Sequence, residues 1–446
     1  MSKLWIDATN LLKWQGNPVG VVRVEAELVK YFLNRDAAFC YFDDKNGLFV
    51  QVELQTLRNA INSLQESKKS IHSVENHSLI GKSKKAFFNY LKDVLPDSSI
   101  SFLDELSEKI SDLYYQLILL QIKTLKVAGY IRKITSLRSV STQQHCFDHE
   151  DHFLSAGLHW DSDCLVVLRS LKSKYRLEVT TICYDLIPVL FPEFYLNKVK
   201  PLFEQHFKSL SLVSDKILCI SKNTQTDLNT WLKKKNLPTP PTEVVTLGSD
   251  FLNAKKIGET SELINEIIKK NYLLYVSTIE VRKNHWVLIK AYEKLINSGI
   301  TKLPKLVFVG RIGWGVKDLL EYLRDNQKLS NYIIHLDNIV DAELIKLYKH
   351  SLFCLYPSKY EGWGLPVVEA LDHGKFSLCA NNSSIPEVGG GFVEYASTNS
   401  IEDWADKITH YIDSPSEITK KEKAISLDYQ SKNWANFCQQ IEKIAT

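Results

Sequence analysis

Residues 357–374 read Pro-Ser-Lys-Tyr-Glu-Gly-Trp-Gly-Leu-Pro-Val-Val-Glu-Ala-Leu-Asp-His-Gly. The apolar run before them, Leu352 to Tyr356, predicts a buried strand, and Pro357 stops it. Gly362 and Gly364 let the backbone turn tightly and approach a ligand closely. Pro366 suits the first turn of a helix, where its missing N–H costs nothing, and the helix runs to Gly374. Strand, glycine loop and helix N-terminus bring free N–H groups and the positive end of a helix dipole together, a combination that favours phosphate. Glu361 in the loop and Glu369 on the helix flank that position. The bland alternative is an ordinary connection with two solvated glutamates.

The stretch resembles the signature of the retaining glycosyltransferases of family 4, which have the GT-B fold. Their pattern is a Glu, seven residues and a second Glu, with Gly-Phe/Trp-Gly-Leu-Pro between, and here it runs from Glu361 to Glu369. The resemblance implies an α/β protein of two Rossmann-like doubly wound domains facing across a cleft, with a helical insertion in the first. Residues 1–250 would be the acceptor-side domain, with the insertion at about 52–150. Residues 263–428 would bind the nucleotide sugar, and residues 429–446 would be a helix crossing back to the first domain.

Composition agrees with a globular protein. A chain of 446 residues suffices for two or three cores. The net charge of +3 is too small to argue for nucleic acid, and no nucleic-acid-binding motif appears. The first strand follows Met1 closely and contains Asp7, unlike a signal peptide, and no apolar run reaches membrane-spanning length. The eight cysteines form no Cys-x-x-Cys pair; Cys183, Cys219, Cys354 and Cys379 lie in apolar runs and read as buried thiols. The expected location is the cytoplasm, at most peripheral to the inner face of its membrane.

In the first domain, Leu4–Ala8 predicts a strand, Asn10–Gly20 a glycine-containing loop and Val21–Leu33 a helix. The absence of Gly-x-Gly-x-x-Gly argues against a dinucleotide. Arg23 occupies the family's Gly-Val/Ile-x-Arg position and is a cleft candidate; the alternative is a surface arginine. Within 52–150, Leu54–Leu64, Lys84–Leu95 and Phe102–Ile134 look helical. Lys123, Lys126, Arg132, Lys133 and Arg138 form a basic stretch that suits an anionic membrane surface or simply packs on the domain. His145, Cys146, His149 and His152 crowd one polar loop, which reads as solvated rather than as a metal site.

Val179–Tyr184 predicts a strand, followed by Asp185-Leu186-Ile187-Pro188, which resembles the family's Asp-Leu-Ile-Pro. At a strand's carboxyl end, Asp185 is a candidate to touch the acceptor hydroxyl or the donor sugar; capping a turn is its alternative. Asp161-Ser162-Asp163 is formally the metal motif of another transferase fold, but it precedes a helix-like stretch instead of ending a central strand. Ser221 or Asn223 is expected to cap the helix that follows them.

In the second domain, Tyr272–Ser277 predicts a strand leading to Arg282-Lys283. Lys283 matches the family's diphosphate-binding lysine. The family's arginine five positions earlier is Thr278 here, and Arg282 is expected to compensate. Gly310-Arg311-Ile312-Gly313-Trp314 matches the family's glycine turn rather than a nicotinamide site, and Asp341 is expected to cap the helix after it. Two closing helices are expected, Ile401–Ile412 and Tyr429–Ile444, with Trp434 anchoring the last.

The resemblance implies transfer of a hexose from a nucleotide diphosphate sugar to a sugar hydroxyl, with retention and without metal or other cofactor. Lys283, Arg282, Gly310, Gly362, Gly364 and Leu365 would line the diphosphate site, Glu361 would hold the donor sugar, and Glu369 would bind ribose. A GDP-sugar such as GDP-mannose is favoured over a UDP-sugar. The acceptor would be a surface polysaccharide or lipid-linked glycan, with other polysaccharide-assembly enzymes as neighbours. A GT-B sugar-nucleotide epimerase and a catalytically degenerate sugar-binding subunit stand as alternatives.

Overall fold

The computed structural model describes residues 2–14, 20–66, 145–195, 199–249, 260–300 and 302–445. Two parallel α/β sheets organise it, as in the GT-B fold. The first contains β1 (Leu4–Asp7), β2 (Ala38–Asp43), β3 (Leu48–Gln51), β4 (His152–Ser155), β5 (Glu178–Cys183), β6 (Lys216–Cys219) and β7 (Thr242–Val244), in the order β3-β2-β1-β4-β5-β6-β7. All pairs are parallel except β2–β3. The chain leaves β1 toward β2 and β3, then returns to β4 on the other side. That reversal opens a crevice beyond the carboxyl ends of β1 and β4.

The second sheet contains β8 (Tyr272–Val276), β9 (Lys305–Val309), β10 (Ile333–Leu336), β11 (Cys354–Tyr356), β12 (Ser377–Ala380) and β13 (Glu394–Ala396). Its order, β10-β9-β8-β11-β12-β13, is parallel throughout and reverses between β8 and β11. Tyr272 to Tyr275 are buried, as helices on both faces of a parallel sheet require. The segments leaving β8 and β11 carry the Lys283 and Glu361 loops, so adjacent strand ends deliver both.

The helix Val21–Phe32 buries Val22, Val24, Ala26, Leu28, Val29 and Phe32 on one face. The final helix, Trp434–Ala445, lies against it: the Tyr31 hydroxyl donates to Glu442 at 2.6 Å, and Arg35 pairs with Glu442 at 3.2 Å. Its entry runs so close to Gly248 that a β-carbon there would overlap the backbone of Trp434.

Several sequence expectations need correction. Residues 38–51 form the antiparallel β2–β3 hairpin, which the sequence reading passed over. Three helices close the chain, because Pro415–Asp428 is helical and the last helix starts at Trp434, not Tyr429. Asp341 lies inside its helix, whose N-cap is Val340. Within the proposed insertion, Leu54–Glu66 is a helix. The segments Lys84–Leu95 and Phe102–Ile134, with the basic stretch, fall outside the described residues. No helix among the described residues is long and apolar enough to cross a membrane.

Candidate active site

After β8 the chain makes one 3-10 turn at Val281–Lys283 and reverses at Asn284, which has φ 56°. Asparagine tolerates that left-handed backbone, and its side chain adds a tie, donating to the carbonyls of Pro357 and Thr398 at 3.2 and 2.9 Å. Lys359 N–H donates to the Arg282 carbonyl at 2.8 Å, and the Tyr275 hydroxyl donates to the Lys283 carbonyl at 2.6 Å. The backbone of Arg282 and Lys283 is therefore fixed against the loop after β11.

That loop is fixed in turn. Ser383 Oγ accepts from Glu361 N–H at 2.9 Å, and Ser384 Oγ donates to the carbonyls of Glu361 and Trp363. Gly364, at φ 131°, precedes the helix Leu365–Asp372 and offers it no side-chain cap. Only glycine adopts that backbone readily. Gly362 lies against the Tyr184 carbonyl so closely that a β-carbon would overlap it. The loop thus touches the end of β5, next to Asp185. Gly310, at φ 148°, likewise has no room for a β-carbon beside the Ser277 carbonyl.

On this frame the side chains converge. Arg282 Nη1 is 2.6 Å from Glu361 Oε2, and Lys283 Nζ is 2.5 Å from Glu361 Oε1. Arg282 also reaches Glu280 at 2.9 Å and the Tyr360 carbonyl at 2.9 Å. Burial alone would raise the Glu361 carboxyl, but Arg282 and then Lys283 hold it down at about 2. Burial and the adjacent Arg282 guanidinium pull Lys283 below the usual amine value, while Glu361 favours its charged form. Asp185 accepts from Ile187 N–H at 3.0 Å, so it does close a turn. Burial raises its carboxyl, with Arg282 the leading counterweight.

Glu369 stands apart from those cations. It is 6% exposed, and its bonded partner is the Tyr348 hydroxyl at 2.8 Å. Burial raises it to about 7, against the Tyr348 bond and the field of Arg23. Leu365 is half-buried at the head of its helix.

The domains are tied around this cluster. Glu387 accepts from the backbone N–H groups of Lys222 and Asn223 at 2.8 and 2.7 Å, across the interface. Ser221 caps the same helix internally by accepting from Thr224 N–H at 3.0 Å. The Tyr360 hydroxyl donates to Asp227 at 2.7 Å.

Residues 259–434 match the model of the family described as glycosyl transferases group 1. The match takes in less than half of the chain. The chain is similar to the Escherichia coli serotype-specific mannosyltransferase WbdA, at 27% identity over 198 residues, covering 42% of this chain and 24% of that protein. It is also similar to the E. coli O-antigen chain mannosyltransferase B, at 35% identity over 133 residues, covering 30% of this chain and 34% of that one. The matches thus take in 24% and 34% of these relatives' lengths. Among solved structures, Anabaena Alr3699/HepE in complex with UDP aligns over 100% of this chain and 99% of its own, with TM-score 0.58 and 16% identity. Sucrose-phosphate synthase from Thermosynechococcus elongatus aligns over 71% and 76%, with TM-score 0.52 and 14% identity. At those identities the likeness establishes the GT-B fold.

The sequence reading missed Glu280, which shares Arg282, and Tyr348, which holds Glu369. It also missed a buried group in the first domain. Asp7 at the end of β1 lies 2.8 Å from His159 and 2.7 Å from Ser155 Oγ. Asp7, His159 and Cys164 are the described residues close enough together to share a metal ion. All are buried, and Asp7 is already engaged by His159, Ser155 and Thr9, which marks the group as structural. A charged residue inside the apolar strand Leu-Trp-Ile-Asp was the available signal. The loop of His145, Cys146, His149 and His152 brings no metal-ligand group together among the described residues.

Proposed function

We propose that the chain is a retaining transferase that moves a mannosyl or related hexosyl group from a nucleotide diphosphate sugar to a sugar hydroxyl of a growing surface glycan or lipid-linked glycan. The observation that carries this reading is the convergence of Lys283 and Arg282 on Glu361, where β8 and β11 end beside an uncapped helix N-terminus. The donor diphosphate would lie against Lys283, Arg282 and the backbone at Gly364 and Leu365, beside the turn that Gly310 packs onto Ser277. Charge-assisted contacts there would stabilise the negative charge that develops on the leaving diphosphate.

A diphosphate arriving at Arg282 and Lys283 exchanges one anion for another. The cations stay compensated, and Glu361 becomes available to the sugar hydroxyls and to positive charge developing on the ring. Glu369, eight residues on, would accept from the ribose hydroxyls. Asp185 faces the same cluster from the first domain and would receive the acceptor hydroxyl, with Arg23 bordering that side. Leaving phosphate would take the acceptor proton on the face it departs from, so no protein nucleophile and no metal enter the reaction. GDP-mannose is the favoured donor, in keeping with the mannosyltransferase relatives. Action would be in the cytoplasm, with the glycan acceptor, the membrane's inner face or other polysaccharide-assembly enzymes as its contacts.

The test is transfer from GDP-mannose to an α-mannoside in the presence of EDTA, with the product linkage read by NMR. An α-linked product supports the reading. A β-linked product overturns retention, and conversion of donor without acceptor identifies an epimerase.

A further inference from the structure

Beside the charged cluster lies a set of aromatic rings that the reaction above does not use. After Asp185 the chain runs through the short helix Ile187–Leu190 and a 3-10 turn at Pro192–Phe194 to Tyr195. Its rings meet the second domain. Phe191 lies 4.6 Å from Tyr360 between ring centroids, and Tyr195 lies 5.8 Å from Trp314 at an interplanar angle of 30°. Trp314 Nε1 donates to the Phe194 carbonyl at 2.6 Å. An indole has one N–H donor, and here the protein uses it. What Trp314 offers a ligand is its ring, and the residue stays 38% exposed.

Tyr360 joins this wall to the reaction centre: its ring meets Phe191, and its carbonyl accepts from Arg282 at 2.9 Å. The result is a corner with aromatic rings on one side and ionised groups on the other. A pyranose has the matching character, an apolar C–H face and a rim of hydroxyls. Aromatic side chains with one apolar and one wet side suit such a ligand. The donor's proposed anchors all belong to the second domain, whereas Tyr195 and Asp185 belong to the first. A glycan acceptor must also stay continuous with solvent, which the exposed Trp314 allows.

We propose that Tyr195 and Trp314, one from each domain, form the subsite on which the acceptor's sugar ring lies, with its reacting hydroxyl turned toward Asp185. This deepens the transferase reading and rests on it for the identity of the ligand as an acceptor. Because each domain supplies one ring, the subsite exists only while the domains are held together around Glu387 and Tyr360.

The experiment is isothermal titration of the full chain with α-linked mannotriose, alongside the thermal shift given by GDP and by UDP. Trp314→Ala is expected to weaken mannotriose binding roughly tenfold, the scale of a lost aromatic contact. Trp314→Phe, which keeps a ring but loses the N–H, should retain most of the binding. Tyr195→Leu, on the other domain, should weaken it as Trp314→Ala does, and nucleotide shifts should stay as in the wild type. Mannotriose binding that is absent in the wild type, or unchanged in both Trp314→Ala and Tyr195→Leu, overturns the subsite. Parallel loss of nucleotide binding overturns it too, by assigning the rings to the donor. Wild type that binds mannotriose through Trp314 but transfers no sugar refutes the transferase reading and leaves the subsite standing.

Discussion

Two buried ionic groups sit at the carboxyl ends of the two sheets, and they are built differently. In the first domain Asp7 meets His159 at 2.8 Å, with Ser155 and Thr9 completing its bonds, and all four come from β1, β4 and the residues directly after them. In the second domain Glu361 is gripped by Arg282 and Lys283, and all three come from loops that glycine and asparagine turns carry into the cleft. The first group is sealed by its own sheet. The second lies where the loop at Gly362 meets the other domain, and on the proposed reading it exchanges partners with the donor diphosphate. Burial and ion pairing alone therefore do not mark a reactive site; what sets the second group apart is that its residues come from loops at the junction of the two domains.

The comparison can be broken most sharply at Lys283. Lys283→Ala should reduce transfer by about a thousandfold or more, the scale of losing preorganised charge at a leaving group. Glu361 keeps Arg282, so the fold should survive, and circular dichroism with a transfer assay checks both. His159→Ala should do the reverse. Removing the His159 hydrogen bond from buried Asp7 is expected to cost about 1–3 kcal/mol in denaturant unfolding, while activity per folded molecule stays near wild type. Near-normal stability in His159→Ala would erase the distinction.

A smaller effect is expected at Glu369. Glu369→Gln should raise the donor KM about tenfold with less change in kcat, as loss of a charge-assisted bond does. Its carboxyl lies near 7, so the acceptor-only form fills in as pH rises through that value. Donor KM should fall across the same interval in the wild type and stay flat in Glu369→Gln. Stability should respond in the opposite direction. A carboxyl raised from 4.5 to about 7 contributes stability that is complete below about 4.5 and is lost as pH climbs through 7. That slope, visible in urea melts, should vanish in the same variant.

The strands and the glycine loop were legible because short apolar runs, Pro357, Gly362 and Gly364 act over a few residues. The β2–β3 hairpin was legible in principle, since Asn46-Gly47 stands between two apolar runs and Gly47 takes φ 66°. The extra helix at Pro415–Asp428 buries little beyond Ile418 and Ile425, so its apolar periodicity is faint. Arg282 and Glu361 are 79 positions apart, and Asp7 and His159 are 152 apart. Nothing local in the sequence encodes such pairings; they follow from which strands become neighbours. The motif singled out Glu361 and Glu369 alike, yet nothing in it says that cations would hold one near 2 while burial would lift the other near 7.

The most direct test of the central claim is the melting temperature of wild type and Lys283→Ala with GDP, UDP, ADP and dTDP, each with and without EDTA. A ligand that binds the folded state raises that temperature by linkage. The account predicts that GDP stabilises the wild type, that EDTA leaves the shift intact, and that Lys283→Ala abolishes it. Stabilisation by UDP instead would keep the site and change the donor. No shift with any nucleotide, or an equal shift in Lys283→Ala, would contradict the claim that the second domain holds a nucleotide diphosphate through Lys283.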